Sequence, residues 1–159
     1  MPLGKGLGNG YPVSAVAMQN ELAKELETQD FHYAQSHQND PLGCAVAKQV
    51  TATLREENWI ERGNATGEFF LEKLKHLPGK SDFVKDARGR GMLLALELRP
   101  RENVPVTAAY PALLKEGFLV GYYPVGNVLR FDPSLTIEKE SVTRLLQCLD
   151  SILGADARC

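Results

Sequence analysis

One lysine near the start of the chain stands within a run of glycines, and its amine is a candidate for covalent chemistry. Four glycines and a proline surround Lys5 between residues 4 and 12. Glycine accepts positive φ values and lets a ligand approach the backbone, so such a loop is more often a binding element than a passive linker. A lysine amine forms a Schiff base only when it is unprotonated, which requires desolvation or neighbouring positive charge. Taken alone, Lys5 is either such a nucleophile or a solvated loop lysine.

Two phosphate-binding motifs fit this loop poorly. A Walker A loop needs Ser or Thr directly after its lysine, where this chain has Gly6. The dinucleotide fingerprint G-x-G-x-x-G also fails, because Asn9 or Tyr11 occupies the position of its last glycine. The lysine amine therefore remains the candidate reactive group of this loop.

Hydrophobic spacing predicts the elements that must position this loop. A short strand over residues 13–18 and an amphipathic helix over residues 19–27 follow the glycines. After a polar loop, Pro41 predicts a helix start, and helical spacing then extends to about Trp59. Asn64 is a candidate N-cap for the next helix, which Pro78 and Gly79 are expected to end.

The second half of the chain combines strands with helices. Residues 92–98 form an apolar run typical of a buried strand, introduced by the arginines and glycines of residues 88–91. The remaining predicted elements are, in order, a helix over residues 107–116, strands over 118–123 and 128–131, and a helix that starts after Thr136 and ends at Gly154. This order predicts a layered domain of the α+β or α/β class.

The composition is that of an ordinary globular chain. Its 159 residues are 43% hydrophobic and 24% charged, and 18 basic against 20 acidic residues leave a net charge of −2. Such a charge attracts no nucleic acid, and no apolar run reaches the roughly 20 residues that cross a bilayer. We expect a cytoplasmic location, or a mitochondrial one if a leader precedes Met1. Three cysteines without C-x-x-C spacing predict neither a disulfide framework nor a metal site.

Four segments resemble the class III aminotransferases, the ornithine and omega-amino acid group of the fold-type I pyridoxal enzymes. The family's cofactor-lysine segment is similar to GKGLGNGYPVSAV, residues 4–16. Three further family segments are similar to SHQNDPLGCAVA (36–47), RGRGMLLALEL (88–98) and NVLRFDPSL (127–135). The segments follow the family's order over nearly the whole chain.

The resemblance implies that Lys5 binds pyridoxal 5'-phosphate (PLP) through a Schiff base. When an amino donor releases it, the Lys5 amine would move the proton between substrate and cofactor. Ser36 stands at the family's threonine, whose hydroxyl binds the cofactor phosphate in the partner subunit's site, so a homodimer is implied. Arg130 matches the arginine that binds the substrate carboxylate. The alternatives are a loop serine bonded to its own backbone and an arginine in a structural ion pair.

The resemblance also implies a domain organisation. The chain corresponds to the C-terminal part of a fold-type I PLP-dependent transferase with an incomplete large domain. Residues 1–60 would be the remnant of the large PLP-binding domain, and residues 61–159 the small C-terminal α+β domain. The expected reaction moves an amino group from an amino acid or omega-amine to a 2-oxo acid. A catalytically inactive dimerisation or interaction module and a decarboxylating or mutase variant are the alternatives.

The chain departs from the family pattern in two places. Residues 37–40 lack the family's aromatic residue and its Gly-Asn or Gly-His pair, and residues 132–134 contain one proline where two are usual. These differences concern the substrate side more than the cofactor chemistry. Arg88 and Arg90, which precede a predicted strand, are interpreted as a charged pair at a domain surface.

Overall fold

The computed structural model describes residues 1–77, 83–99 and 106–155, and the chain divides into two compact units. The first unit is Met1–Asn58 and the second is Trp59–Cys159. Helices and strands occur in both units, which confirms the predicted α/β class.

A two-stranded ribbon, a glycine-rich turn and two helices make up the first unit. Strand β1 (Pro2–Leu3) pairs antiparallel with β2 (Ala15–Val16), and a 3-10 turn at Lys5–Leu7 lies between them. Helices α1 (Asn20–Thr28) and α2 (Pro41–Glu56) follow. The predicted first strand is therefore shorter than its apolar run suggests, while the predicted first helix is correct to within one residue at each end.

Helix α2 begins where the sequence predicts, at Pro41. The Asp40 carboxylate accepts a hydrogen bond from the Leu42 amide at 3.2 Å, and proline at the first helical position has no N–H that needs a partner. The helix ends before the predicted Trp59, because Asn58 adopts a left-handed φ of 54° and Trp59 starts the next helix.

In the described part of the second unit, three helices pack against an antiparallel sheet. In chain order its elements are α3 (Trp59–Lys75), β3 (Val84–Arg90), β4 (Leu93–Leu98), α4 (Val106–Lys115), β5 (Gly121–Tyr123), β6 (Val128–Phe131) and α5 (Lys139–Ala155). The strands are arranged in the order β3-β4-β6-β5. Helix α3 contacts β3 and β4, α4 contacts β5 and β6, and α5 packs on both helices.

Alternation along the central strands assigns one face of the sheet to the core. Leu94, Leu96 and Leu98 of β4 are at most 2% exposed, and Leu129 and Phe131 of β6 lie opposite β4 in register and are also buried. The helices add Phe70, Leu74, Val106, Leu113, Val142 and Leu149 to the same cluster. Because side chains alternate along a strand, the residues between these leucines lie on the opposite face.

A close contact between α3 and the β3–β4 turn depends on two glycines. A Cβ atom on Gly67 would lie 2.1 Å from the carbonyl oxygen of Gly91, which itself adopts a left-handed φ of 56°. Asn64 lies inside this helix, so its predicted role as the N-cap is wrong: the helix already begins at Trp59. Its predicted stop at residues 78–79 lies outside the described residues.

Strand β3 carries no hydrophobic pattern that would predict it. Ala87 is its one buried residue, and charged side chains occupy most of its other positions. As an edge strand that pairs only with β4, it needs little apolar surface. The segment predicted to introduce the next strand is therefore largely β3 itself, and Gly91 and Met92 form the turn.

The last helix differs from its prediction at both ends. It begins at Lys139 instead of directly after Thr136, because the Ser134 hydroxyl accepts a hydrogen bond from the Thr136 amide and holds a turn there. It ends at Ala155, so the predicted stop at Gly154 is wrong.

We expect Gly67→Ala to destabilise the second unit, because the added methyl group collides with a backbone carbonyl. Overpacking of this kind costs about 1–3 kcal/mol, more than the roughly 1 kcal/mol that alanine gains over glycine in helix propensity. Thermal unfolding followed by circular dichroism measures the change. Glu72→Ala, on the exposed side of the same helix, is the control and should shift stability by less than about 0.5 kcal/mol. Equal melting temperatures for G67A and the unsubstituted protein would contradict the close contact.

Candidate active site

Lys5 stands at the first position of the 3-10 turn with its side chain exposed. Its φ of 52° is in the left-handed region, which is uncommon for a residue with a long side chain. The turn is closed by hydrogen bonds from the Leu7 amide to the Gly4 carbonyl (3.1 Å) and from the Gly8 amide to the Lys5 carbonyl (3.2 Å). No described residue pairs with the Lys5 amine, which is therefore open to a reactant.

Two glycines fix the loop that carries Lys5. Within the first unit, Gly8 and Gly43 are the buried residues. A Cβ atom on Gly8 would lie 2.0 Å from the Tyr11 carbonyl oxygen, and one on Gly43 would lie 3.4 Å from the Val13 side chain and 3.6 Å from the Tyr11 ring. The end of the glycine loop thus packs directly on the first turn of α2.

Ser36 lies in the exposed turn that precedes α2. The Gln38 amide donates to the Gln35 carbonyl at 3.2 Å, and His37 and Asn39 adopt φ values of 63° and 57°. The Ser36 hydroxyl makes no hydrogen bond to any residue that the structure describes, including its own loop backbone. It is available to an external acceptor such as a phosphate oxygen.

Arg130 lies on β6, on the face of the sheet that points away from the helices. Its Nη1 donates to the Tyr123 hydroxyl at 2.6 Å, and its Nη2 lies 3.1 Å from Oδ2 of Asp132. The guanidinium carbon lies 5.6 Å from the centre of the Tyr123 ring. The Arg130 side chain is 40% exposed and that of Asp132 is 52% exposed, so solvent and ligands reach both.

Gly121 of β5 has no side chain, and Arg130 occupies the space that this leaves. Gly121 is the register partner of Arg130, and a Cβ atom on it would lie 3.1 Å from the arginine Nε and 3.5 Å from its guanidinium carbon. The Nε atom is buried and has no hydrogen-bond partner in the described structure. The arginine therefore lies across the glycine backbone, with its side chain partly exposed.

An open groove of about 430 Å³ runs along this face of the sheet. Its floor is mainly aliphatic, and arginines of β3 and β6 stand along its sides. It is lined by Arg88, Gly89, Arg90, Leu93, Leu94, Ala95, Tyr123, Val128 and Arg130. Such a surface can hold the carbon chain of a small molecule while Arg130 binds an anionic end.

Arg88 is paired more completely than Arg130. Its Nη1 lies 2.8 Å from Oδ2 of Asp86 and 2.7 Å from Oε2 of Glu97, and Lys85 also binds Glu97 at 2.6 Å. The hydrogen bonds from Lys85 and Arg88 hold the pKa of the Glu97 carboxyl below its usual value. Those from Asp86 and Glu97 raise the pKa of Arg88. These charged groups satisfy one another, in keeping with the interpretation of Arg88 as a surface anchor.

The predicted site residues are divided between the units. Lys5 and Ser36 belong to the first, and Arg130 belongs to the second. Tyr123 and Asp132, the two partners of Arg130, were not among the predicted site residues. Asp132 gave a weak signal as a departure from the family pattern, whereas Tyr123 comes into position only through strand pairing, diagonally across from Arg130.

Solved structures with this fold are aminotransferases. An aminotransferase from Bacillus anthracis aligns with a TM-score of 0.85 and 26% identity, over 97% of this chain and 38% of its own. The ornithine aminotransferase from Toxoplasma gondii aligns with a TM-score of 0.82 and 29% identity, over 97% of this chain and 36% of its own; PLP partially occupies its active site. The fold is thus that of part of a PLP-dependent transaminase.

The sequence identifies the family within that class. The profile of the aminotransferase class-III family matches residues 1–153. This chain belongs to that family, as its four segments predicted.

Similar proteins are longer aminotransferases. The ornithine aminotransferase of Bordetella pertussis is 36% identical over 156 residues, and the acetylornithine aminotransferase of Methanocaldococcus jannaschii is 31% identical over 156 residues. The alignments cover 98% and 96% of this chain and 36% of each relative. The chain therefore spans little more than a third of their length. Among its described helices, none has the length and apolar character needed to span a bilayer.

The Glu97 ion pairs predict a specific dependence of stability on pH. Because the folded-state pKa of Glu97 is lowered, its contribution is present above the unfolded value of about 4.3 and is lost as pH falls through the folded pKa. As the pH falls through this acidic range, we expect the free energy of unfolding to decrease less in Glu97→Gln than in the unsubstituted protein. Melting temperatures measured from pH 6 downward test this, with Glu72→Gln on exposed α3 surface as the control. Parallel pH profiles for E97Q and the unsubstituted protein would show that the pairs contribute nothing.

Proposed function

We propose that this chain carries the cofactor lysine and a substrate-binding arginine of a PLP-dependent aminotransferase. The observation that carries the proposal is the exposed amine of Lys5 on a glycine turn, which has no partner among the described residues, in a chain whose residues 1–153 match the class-III family. The reaction would move an amino group from an amino acid or omega-amine to a 2-oxo acid. The relatives' names, ornithine and acetylornithine aminotransferase, support this substrate class.

The residues present fit PLP in two respects. The Lys5 side chain is an exposed primary amine with no partner among the described residues, so an aldehyde can reach it. The Ser36 hydroxyl is equally free and can donate to a phosphate oxygen. PLP, when bound, supplies an electron sink for the negative charge that develops on the substrate carbon.

Each of the three residues has its own task. Lys5 holds the cofactor covalently and, once the amino donor has released it, carries the proton that leaves the substrate carbon. Ser36 donates its hydroxyl to phosphate in the site of a second subunit, so the active protein is a homodimer. Arg130 presents two terminal nitrogens to a substrate carboxylate, which a planar guanidinium binds through two hydrogen bonds.

We base the proposed division into two domains on which part of the chain has a hydrophobic core. In the first unit, Gly8 and Gly43 are the buried residues, whereas large apolar side chains such as Val16, Phe31 and Leu42 are more than half exposed. A unit of this kind lacks the apolar burial that pays for chain ordering. We assign residues 1–60 to an incomplete large PLP-binding domain, and residues 61–159 to a small α+β domain with its own core.

The same exposed apolar side chains favour one other function. A chain that had lost the cofactor site could keep this surface as a dimerisation module without catalysis. The two functions differ in one property, which is covalent reaction of Lys5 with PLP.

We expect PLP followed by borohydride to label Lys5 in the complete protein that carries this chain. Peptide mass spectrometry should find the reduced phosphopyridoxyl adduct on the glycine-loop peptide. Lys5→Ala should abolish the adduct, and so should Lys5→Arg, which keeps the positive charge but cannot condense. Lys24→Ala, which removes an exposed lysine of α1, is the control and should leave it unchanged. An adduct distributed over surface lysines, or none at all, would favour the non-catalytic module.

We expect Arg130→Ala to weaken carboxylate substrates. Loss of a charged hydrogen-bonding pair costs about 1.5–3 kcal/mol, which corresponds to a KM raised roughly 10- to 150-fold. Amine donors without a carboxylate should keep their KM, and kcat should change less than KM. Steady-state kinetics of both donor types measure this, with Arg90→Ala as the matched control on the same groove. An unchanged KM for the carboxylate donor would reject the role.

A further inference from the structure

The carboxylate of Asp132 lies where it competes with any anion for Arg130. It approaches Nη2 to 3.1 Å, while the Tyr123 hydroxyl accepts from Nη1 at 2.6 Å. Each terminal nitrogen therefore already has a partner, one anionic and one neutral. Since each carries two hydrogens, one remains on either nitrogen for a ligand.

The backbone of β5 also restricts the orientation of the Arg130 side chain. Its buried Nε faces the backbone of Gly121, where a Cβ atom would lie 3.1 Å away. The Tyr123 ring lies to one side, 5.6 Å from the guanidinium carbon. Because the guanidinium is fixed between β5 and Asp132, an incoming carboxylate must bind beside Asp132.

We propose that Asp132 is a specificity-determining residue that weakens the binding of a carboxylate at Arg130. The inference rests on the proposed function, in which Arg130 faces the substrate carboxylate. A carboxylate bound to the terminal nitrogens brings its oxygens within roughly 4–5 Å of the Asp132 oxygens, a distance at which like charges repel measurably even near water.

The ion pair between Arg130 and Asp132 also affects which ligands bind. An arginine that is already neutralised by an acid attracts an anion less than a free arginine does, and the acid itself attracts a cation. Asp132 therefore reduces the advantage that a carboxylate substrate has at Arg130 over a substrate whose group at this position is uncharged. Arg88 on the same face pairs with two acids and is therefore a weaker anion site than Arg130.

Isothermal titration of the complete protein with pentanoate and with pentanamide tests the inference. These probes have the same carbon chain and differ in charge. Asp132→Asn should bind pentanoate about five- to tenfold more tightly at low salt, and the gain should shrink as salt screens the repulsion. Pentanamide affinity should not change. In the double variant R130A/D132N the gain should vanish, because its cause is the shared guanidinium.

Glu140→Gln is the control for net charge, since it removes one exposed carboxylate from the first turn of α5. An equal gain in E140Q would reduce the effect to overall charge and overturn the inference. Unchanged or weaker pentanoate binding in D132N would overturn it too, and so would failure of every variant to bind pentanoate.

Failure of the proposed function is distinguishable from failure of this inference. If Lys5 forms the borohydride-reduced adduct but D132N has no effect, the role of Asp132 alone is rejected. If D132N tightens pentanoate binding while Lys5 forms no adduct, Asp132 tunes a carboxylate site that is not part of a PLP enzyme.

Discussion

Burial of one side of the antiparallel sheet is the constraint on which the second unit depends. Leu94, Leu96 and Leu129 are essentially inaccessible to solvent beneath three helices, and each such side chain contributes roughly 1.5–3 kcal/mol when it leaves water. Since side chains alternate along a strand, this burial places Arg130 on the outer face. The close contact between Gly67 and Gly91 lets α3 cover the inner face of the sheet. The position of the substrate-binding candidate is thus a consequence of how the core is packed.

The first unit is organised differently, around backbone contacts instead of a core. Gly8 and Gly43 let the glycine loop pack against Tyr11 and the start of α2, which sets the turn that carries Lys5. Its apolar side chains are largely exposed, as expected of a piece of a larger domain. The Lys5 amine thus combines an exposed side chain with a backbone that is held by close packing.

Two arginines on the same outer face illustrate how pairing decides what a cation can do. Arg88 binds both Asp86 and Glu97 through one nitrogen, so two acids pair with its charge. Arg130 is balanced by one acid and by a neutral phenol, and hydrogens on its terminal nitrogens stay free. Because one acid balances Arg130 and two acids pair with Arg88, Arg130 is the better candidate for binding an anionic ligand.

The sequence by itself determined the family, the cofactor lysine candidate and the helices whose apolar residues recur at helical spacing, because these signals lie within short segments. Pro41 and Asp40 mark the start of α2 locally, and the Lys5 segment is recognisable from its own residues. Strand β3 was not predicted, because an edge strand needs no apolar pattern. Asn64 was predicted to be an N-cap, but its helix begins five residues earlier, at Trp59. The environment of Arg130 was decided only by the tertiary structure. Strand pairing places Gly121 beneath it and Tyr123 beside it, and neither contact can be predicted without the register of that pairing.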